Sequence, residues 1–156
     1  MEGRLYQINI SRGGVPKLPT DATELTVDGL DGDKQNNLKY HGGPDRAVCL
    51  YSLEKIIELQ NEGNPIRPGS VGENLTISGI EWSLIAQGDR LLLGDLAMIE
   101  ITKYAVPCKS IIGSFANGDS NRISQKLYPG WSRLYAKVLV PGTLAAGQSV
   151  HLIKAN

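Results

Sequence analysis

The sequence predicts a single, mainly β domain of the barrel or sandwich type. Many short segments alternate between apolar and polar residues or are rich in β-branched residues, and glycine-rich turns separate them. The 18 glycines among 156 residues supply those turns. The repeated strand–helix alternation typical of a parallel α/β sheet is not found. The length fits one domain of ordinary size, so we expect one domain over residues 1–156.

The predicted strands follow from a period of two in apolar residues. Tyr6, Ile8 and Ile10 alternate with polar neighbours and predict a half-buried first strand. Gly94 and Asp95 stand between two apolar segments and predict a hairpin turn. The further strands are predicted at residues 24–27, 46–51, 90–93, 96–103, 134–140 and 149–153.

Helices are predicted to be few. The clearest covers residues 52–62, where Ser52 is a suitable N-cap, apolar residues recur at helical spacing, and Gly63 supplies the stop. A second helix is predicted over 121–127. A short helical turn is expected after Pro107.

Composition and charge exclude several classes of protein. The 16 basic and 16 acidic residues give a net charge of zero, so nothing predicts a general attraction to nucleic acid or anionic membranes. With 41% hydrophobic and 21% charged residues, the chain is typical of a globular protein. The N-terminus lacks the basic and apolar regions of a signal peptide, and no apolar run is long enough to span a bilayer. We therefore expect a cytoplasmic location.

The two cysteines, Cys49 and Cys108, have different surroundings in the sequence. Cys49 lies in an apolar strand and is predicted to be a core thiol. Cys108 follows a strand and a proline, with Lys103 and Lys109 nearby, and positive neighbours favour the thiolate. A thiolate is a nucleophile or a ligand for a soft metal. A buried structural thiol is the alternative interpretation of Cys108.

A glycine-rich segment precedes the strand that contains Cys49. Gly42 and Gly43 allow backbone N–H groups to approach an anion or a flat ring. Around them, His41 supplies a titratable group, Asp45 an acceptor and Arg46 a forked anion clamp. The alternative is a tight turn whose polar residues only hold the loop.

Two further segments carry candidate ligand-binding residues. After Gly72, the side chains of Glu73 and Asn74 have the donors and acceptors needed to read the edge of a heterocycle. A plain β-turn is the alternative. Trp131 and Arg133 are placed to close over a ring or a phosphate, or to pack at the mouth of a barrel.

The ordered set of these segments resembles the MOSC family, named for the C-terminal domain of molybdenum-cofactor sulfurases. The similarity extends from about residue 10 to residue 152, and the Gly-Val-Pro-Lys opening suggests the small stand-alone bacterial branch. The segments that carry it are 14–17, 29–33, 41–48, 69–76, 107–108 and 130–133.

The resemblance implies a closed β-barrel with a few short helices. It also implies binding of molybdenum cofactor, in which a pterin dithiolene holds the metal, or carriage of sulfur for that cofactor. By this resemblance Cys108 is the molybdenum ligand. The positive charge of Lys103 or Lys109 would help to keep its thiol deprotonated. Pyridoxal phosphate is associated with the family only through relatives that are fused to a sulfurase domain.

The resemblance also predicts the residues of the site. Cys108, His41 and Asp45 are the predicted catalytic residues. The predicted cofactor-binding residues are Gly42, Gly43, Arg46, Gly72, Glu73, Asn74, Lys103 and Arg133.

The function that follows is a molybdenum-dependent oxidoreductase that reduces N-hydroxylated small molecules. The sequence lacks flavin, nicotinamide and iron–sulfur motifs, so electrons are expected from a separate protein. One alternative is a sulfur carrier that holds a persulfide on Cys108 and receives it from a sulfur-donor protein. A non-catalytic cofactor-binding module is a second alternative. A hydrolase built from Cys108, His41 and Asp45 is a distant third.

Overall fold

A computed structural model describes residues 1–34 and 43–156 of the chain. Most of its regular structure is β-strand, as predicted. The strands and the α-helix, in chain order, are β1 (Glu2–Ile10), β2 (Leu18–Thr20), β3 (Ala22–Thr26), β4 (Gly29–Leu30), β5 (Val48–Ser52), α1 (Leu53–Asn61), β6 (Leu75–Ser78), β7 (Arg90–Leu93), β8 (Ala97–Tyr104), β9 (Leu134–Val140), β10 (Gly142–Ala145) and β11 (Ser149–Ile153).

Seven strands form a closed barrel. Their order is β11-β7-β8-β9-β5-β6-β1, and antiparallel pairing of β1 with β11 closes the ring. Strand β2 extends the sheet beyond β1, while β10, β3 and β4 form a separate three-stranded sheet. Closure leaves these seven strands paired on both sides. The predicted mainly β, closed-barrel fold is therefore confirmed.

The first strand departs from the predicted alternation. The register between β1 and β6 shifts between Leu5 and Gln7, which places an irregularity in the middle of the strand. Leu5 and Ile8 are consequently buried, whereas Tyr6 is half exposed. Tyr6 and Ile8 therefore do not lie on one face, because an extra residue at a bulge changes the face on which the following side chains lie.

The helix α1 begins where the sequence predicts. The Ser52 hydroxyl accepts a hydrogen bond from the Lys55 backbone N–H at 3.1 Å, and Gly63 follows the helix with a φ of 98°. Ile56 and Leu59 are the buried residues of the helix. Because α1 connects β5 to β6 and these two strands are parallel, it forms one βαβ unit, an arrangement that the sequence pattern did not indicate.

The remaining helical segments are short 3-10 helices. The helix predicted over 121–127 is only a 3-10 turn at Ser120–Ile123, and the turn expected after Pro107 is a 3-10 helix at Lys109–Ser114. Two more are found at Pro44–Arg46 and Trp82–Leu84. No helix in the described parts of the chain is both long and apolar enough to cross a membrane.

The buried side chains fall into two groups. The large core includes Leu5, Ile8, Leu50 and many further aliphatic side chains. A small second cluster contains Cys49, Ala105 and Tyr135, which come from β5, β9 and the segment that follows β8. This small cluster lies beside the residues that the sequence predicts as a functional site.

Candidate functional site

Cys108 stands at the junction between an extended segment and the 3-10 helix Lys109–Ser114. It is the N-cap residue of that helix, its thiol is free, and its side chain is partly exposed. The Cys108 Sγ lies 2.8 Å from the Ser110 Oγ. Its carbonyl oxygen accepts from the Ile111 backbone N–H at 3.4 Å and from the Ser120 hydroxyl at 3.5 Å. The thiol is thus accessible, on a backbone held at several points.

Cys49 has the opposite environment. Only 7% of its surface is exposed, and burial raises the pKa of its thiol to about 11. Its backbone N–H donates to Asn74 Oδ1 at 3.0 Å within the sheet. The prediction that Cys49 is a core thiol is confirmed, so Cys108 is the cysteine available for chemistry.

Tyr135 is a residue of this region that sequence reasoning missed. In the sheet it pairs with Lys103 of β8 on one side and with Cys49 of β5 on the other, and directly paired residues share a face. The Arg46 guanidinium carbon lies 5.9 Å from the centre of its ring. Burial raises the pKa of the Tyr135 hydroxyl, and the Cys49 and Cys108 thiols act in the same direction. Tyr135 therefore connects several predicted site residues.

The segment with Asp45 and Arg46 packs against the end of β8. Gly43 has a φ of 80°, a conformation that favours glycine, and it begins the 3-10 helix Pro44–Arg46. The Asp45 carbonyl accepts a hydrogen bond from the Thr102 hydroxyl. Asp45 and Lys103 line one surface groove, and Cys108 does not contribute to that lining. The structure thus brings Asp45 to Lys103, and its predicted catalytic role beside Cys108 stays a prediction.

Asn74 makes its hydrogen bonds within the protein. In addition to the bond that its Oδ1 accepts from Cys49, its Nδ2 donates to the Asn9 carbonyl at 3.3 Å and to Asp33 Oδ2 at 3.0 Å. Asp33 also forms a buried ion pair with Lys17 at 2.7 Å. Asn74 therefore joins three parts of the chain, and the predicted contact between Asn74 and a heterocycle stays a prediction.

Glu73 is completely buried beside it. Its Oε2 accepts from the Thr76 hydroxyl at 2.9 Å, while its Oε1 has no hydrogen-bond partner among the described residues. Burial raises the pKa of Glu73 to about 7, although Thr76 and the Arg133 charge act against that rise. The preceding Gly72 has a φ of 80°, and a Cβ there would lie 2.9 Å from Val15 Cγ1. Gly72 and Glu73 thus fit closely packed positions, and their predicted contacts with a cofactor stay predictions.

Arg133 is buried as well, with 3% of its surface exposed. Its two terminal nitrogens donate to the carbonyls of Val71, at 2.8 Å, and Val106, at 3.3 Å. Its Nε has no hydrogen-bond partner in the described ranges. The guanidinium therefore bridges the glycine-rich loop and the segment that leads to Cys108.

Two predicted site residues are not part of this geometry. His41, predicted as catalytic, and Gly42, predicted as cofactor-binding, lie outside the described residues, and their roles stay predictions. Within residues 1–34 and 43–156, no three His, Cys, Asp or Glu side chains are grouped to hold a metal ion. The predicted role of Cys108 as a metal ligand stays a prediction.

Comparison with known families decides the relationship of the chain. The family model described as the MOSC domain matches residues 37–151. The chain belongs to the MOSC family. The matched range includes both glycine-rich segments, Cys108 and Arg133.

Two bacterial proteins show the extent of the similarity to full-length MOSC relatives. The uncharacterized protein YflK of Bacillus subtilis is 30% identical over 142 residues, which are 90% of this chain and 63% of YflK. Protein YiiM of Escherichia coli is 33% identical over 134 residues, which are 83% of this chain and 58% of YiiM. The matched region spans less than two thirds of either relative. A Gibberella moniliformis protein named "Reductase" is 28% identical over 73% of this chain and 21% of its own length.

Solved structures agree with the MOSC fold. The crystal structure of Escherichia coli YiiM superposes with a TM-score of 0.74 at 25% identity, and the match covers 99% of this chain and 71% of the YiiM chain. The YuaD protein of Bacillus subtilis superposes with a TM-score of 0.75 at 18% identity, over 100% of this chain and 98% of that chain. At that identity the YuaD match shows the fold alone.

Proposed function

We propose that this MOSC domain binds molybdenum cofactor, with the Cys108 thiolate as the protein ligand to molybdenum, and that the loaded protein reduces N-hydroxylated small molecules. The family is associated with that cofactor. The observation that carries the proposal is the contrast between the two cysteines. Cys108 is partly exposed and free, whereas Cys49 is buried with a raised thiol pKa.

The residues around Cys108 fit such a group. A thiolate is a soft ligand, and soft ligands suit molybdenum that is already bound to sulfur. Tyr135 pairs with Lys103 in the sheet, and its ring centre lies 5.9 Å from the Arg46 guanidinium carbon, so two cations flank this ring. Positive charge favours both the thiolate and an anionic phosphate.

The proposed reaction is the two-electron reduction of an N–O bond. R–NHOH, two electrons and two protons give R–NH2 and water, so the N–O bond breaks and its oxygen leaves as water. The cofactor, when bound, supplies the two-electron redox centre. Cys108 would hold it as the protein ligand, and the cations Lys103 and Arg46 would favour its anionic groups. The Tyr135 side chain itself is buried.

The partners of the proposal are a small-molecule substrate and a separate electron-donor protein. The sequence lacks flavin, nicotinamide and iron–sulfur motifs, so the electron-donor protein would carry the group that delivers electrons. Under the sulfur-carrier alternative, the partner is instead a protein that donates sulfur to Cys108.

Metal analysis of two matched variants tests the cofactor assignment. Wild type, Cys108→Ala and Cys49→Ala are to be produced in a host that makes molybdenum cofactor, and molybdenum is measured per protein chain. We expect near-stoichiometric metal in wild type and Cys49→Ala, and loss of it in Cys108→Ala. Equal metal in both variants, or none in wild type, would contradict the assignment.

Two further measurements separate the candidate functions. Turnover of a hydroxylaminopurine with a chemical reductant supports the reductase, whereas bound molybdenum without turnover favours a non-catalytic module. A mass increase of one sulfur on Cys108 in molybdenum-free protein favours the sulfur carrier.

A further inference from the structure

Arg133 holds the segment before Cys108 from one side. Its guanidinium donates to the Val106 carbonyl, two residues before the cysteine, and to the Val71 carbonyl in the glycine-rich loop. The Arg133 carbonyl accepts from the Ala105 backbone N–H at 3.0 Å. The neighbouring Ser132 hydroxyl donates to the Ala105 carbonyl at 3.2 Å. Three of these hydrogen bonds thus fix the entry to Cys108, and the fourth joins Arg133 to the glycine-rich loop.

The segment that follows Cys108 is held by the same glycine-rich loop that contains Val71. Ser114 ends the 3-10 helix that begins after Cys108, and its hydroxyl is buried. That hydroxyl contacts the Ser70 Oγ at 2.9 Å and the Ser70 carbonyl at 3.3 Å. Ser70 is adjacent to Val71, so both ends of the cysteine segment attach to two consecutive residues.

We propose that Arg133 and Ser114 are positioning residues that fix the Cys108 thiol relative to the glycine-rich loop. The hydrogen bonds form a closed ring: Arg133 to Val71, Ser70 to Ser114, along the 3-10 helix to Cys108, and from Val106 back to Arg133. A segment that is held at both ends moves less than one that is held at a single end, so loss of either contact should free the end that it held.

The hydrogen bonds of Arg133 lie within the protein. One N–H of each of its two terminal nitrogens donates to a backbone carbonyl, which supports the positioning role. The predicted contact between Arg133 and a cofactor stays a prediction. The Glu73 carboxyl is buried close enough for the Arg133 charge to act against the rise in its pKa. The inference gains its functional meaning from the proposed role of Cys108, and its test needs no cofactor.

Alkylation of the cofactor-free protein tests the ring. Wild type, Arg133→Lys and Ser114→Ala are treated with iodoacetamide at constant pH, and mass spectrometry measures the modification rate of each cysteine. Lysine cannot donate to both carbonyls with the geometry of a guanidinium. We expect each substitution to raise the Cys108 rate at least about threefold, since local opening of the segment exposes the partly buried thiol more fully. Cys49 should stay slow because it is buried.

Cys49 and a second arginine provide the controls. Arg122→Lys reduces a two-pronged ion pair with Glu62 outside the ring to a single contact and should leave the Cys108 rate unchanged. An unchanged Cys108 rate in both ring variants would overturn the proposal, as would a parallel rise for Cys49 and Cys108, which reports global unfolding. If Arg133→Lys does not fold, Ser114→Ala alone decides. If wild type binds no molybdenum but the ring variants show a faster alkylation of Cys108, the cofactor proposal is rejected and the positioning role of Arg133 and Ser114 is kept.

Discussion

Replacing Glu73 by Gln should remove a pH dependence of stability that burial of this carboxyl creates. The pKa of Glu73 is raised from its ordinary 4.5 to about 7 in the folded protein. Between those two values the unfolded chain releases a proton that the folded protein retains. Folding stability therefore falls as pH rises through this window and is constant above it.

The magnitude follows from the two pKa values. At about 1.4 kcal/mol for each pH unit between them, the penalty at pH 8 is roughly 3 kcal/mol. Glutamine carries no charge at either pH and retains an oxygen that accepts from Thr76. The effect of glutamine on the free energy of unfolding is therefore the same at both pH values. The free energy of unfolding of Glu73→Gln, relative to that of wild type, should therefore rise by roughly 2 to 3 kcal/mol from pH 5 to pH 8.

Urea unfolding, followed by tryptophan fluorescence at pH 5 and pH 8, measures this gain. Asp89→Asn is the matched control, because hydrogen bonds from Lys154 and two backbone N–H groups lower the pKa of Asp89 against its burial. Asp89 is ionised throughout the window, so its substitution should cost the same at both pH values. If the free energy of unfolding differs by the same amount between Glu73→Gln and wild type at pH 5 and at pH 8, the reasoning is refuted.

Two other substitutions test the packing and hydrogen bonding around the site by the same urea assay. Gly69→Ala should lower the free energy of unfolding by more than about 2 kcal/mol, because the φ of Gly69 is +86° and a Cβ there would lie 2.2 Å from the Lys17 carbonyl oxygen. Gly113→Ala, where a Cβ meets nothing within 4 Å, should cost little, and equal losses would contradict the clash. Tyr51→Phe should lose about 1 to 3 kcal/mol, since the Tyr51 hydroxyl donates to the Trp131 carbonyl at 2.7 Å. An unchanged midpoint would show that this carbonyl finds another donor.

Local features of the fold were predictable from the sequence. Strands β7, β9 and β11 begin and end where apolar alternation and glycine turns place them, and Ser52 caps α1 as predicted. These features depend on residues within a few positions of each other, so a short stretch of sequence contains their cause. The prediction of a helix over 121–127 was wrong, since only a 3-10 turn at Ser120–Ile123 forms there. Short helices depend on tertiary packing more than on local propensity.

The candidate site was predictable only in part. The partly exposed Cys108 and the buried Cys49 follow from a proline, two lysines and an apolar strand nearby. Tyr135 was missed because its pairing with Lys103 and Cys49 depends on strand order. The internal hydrogen bonds of Asn74 were missed for the same reason, since its partners lie on three separate segments.

The sequence by itself determined a mainly β domain of the MOSC family, with one cysteine in the core and another available for chemistry. Only the tertiary structure decided what surrounds the available thiol. Arg133 and Val71 are 62 residues apart, and Ser114 and Ser70 are 44 apart. Local periodicity contains no information about contacts over such separations. Barrel closure and strand register bring these residues together, because each buried polar group must find a partner in the fold.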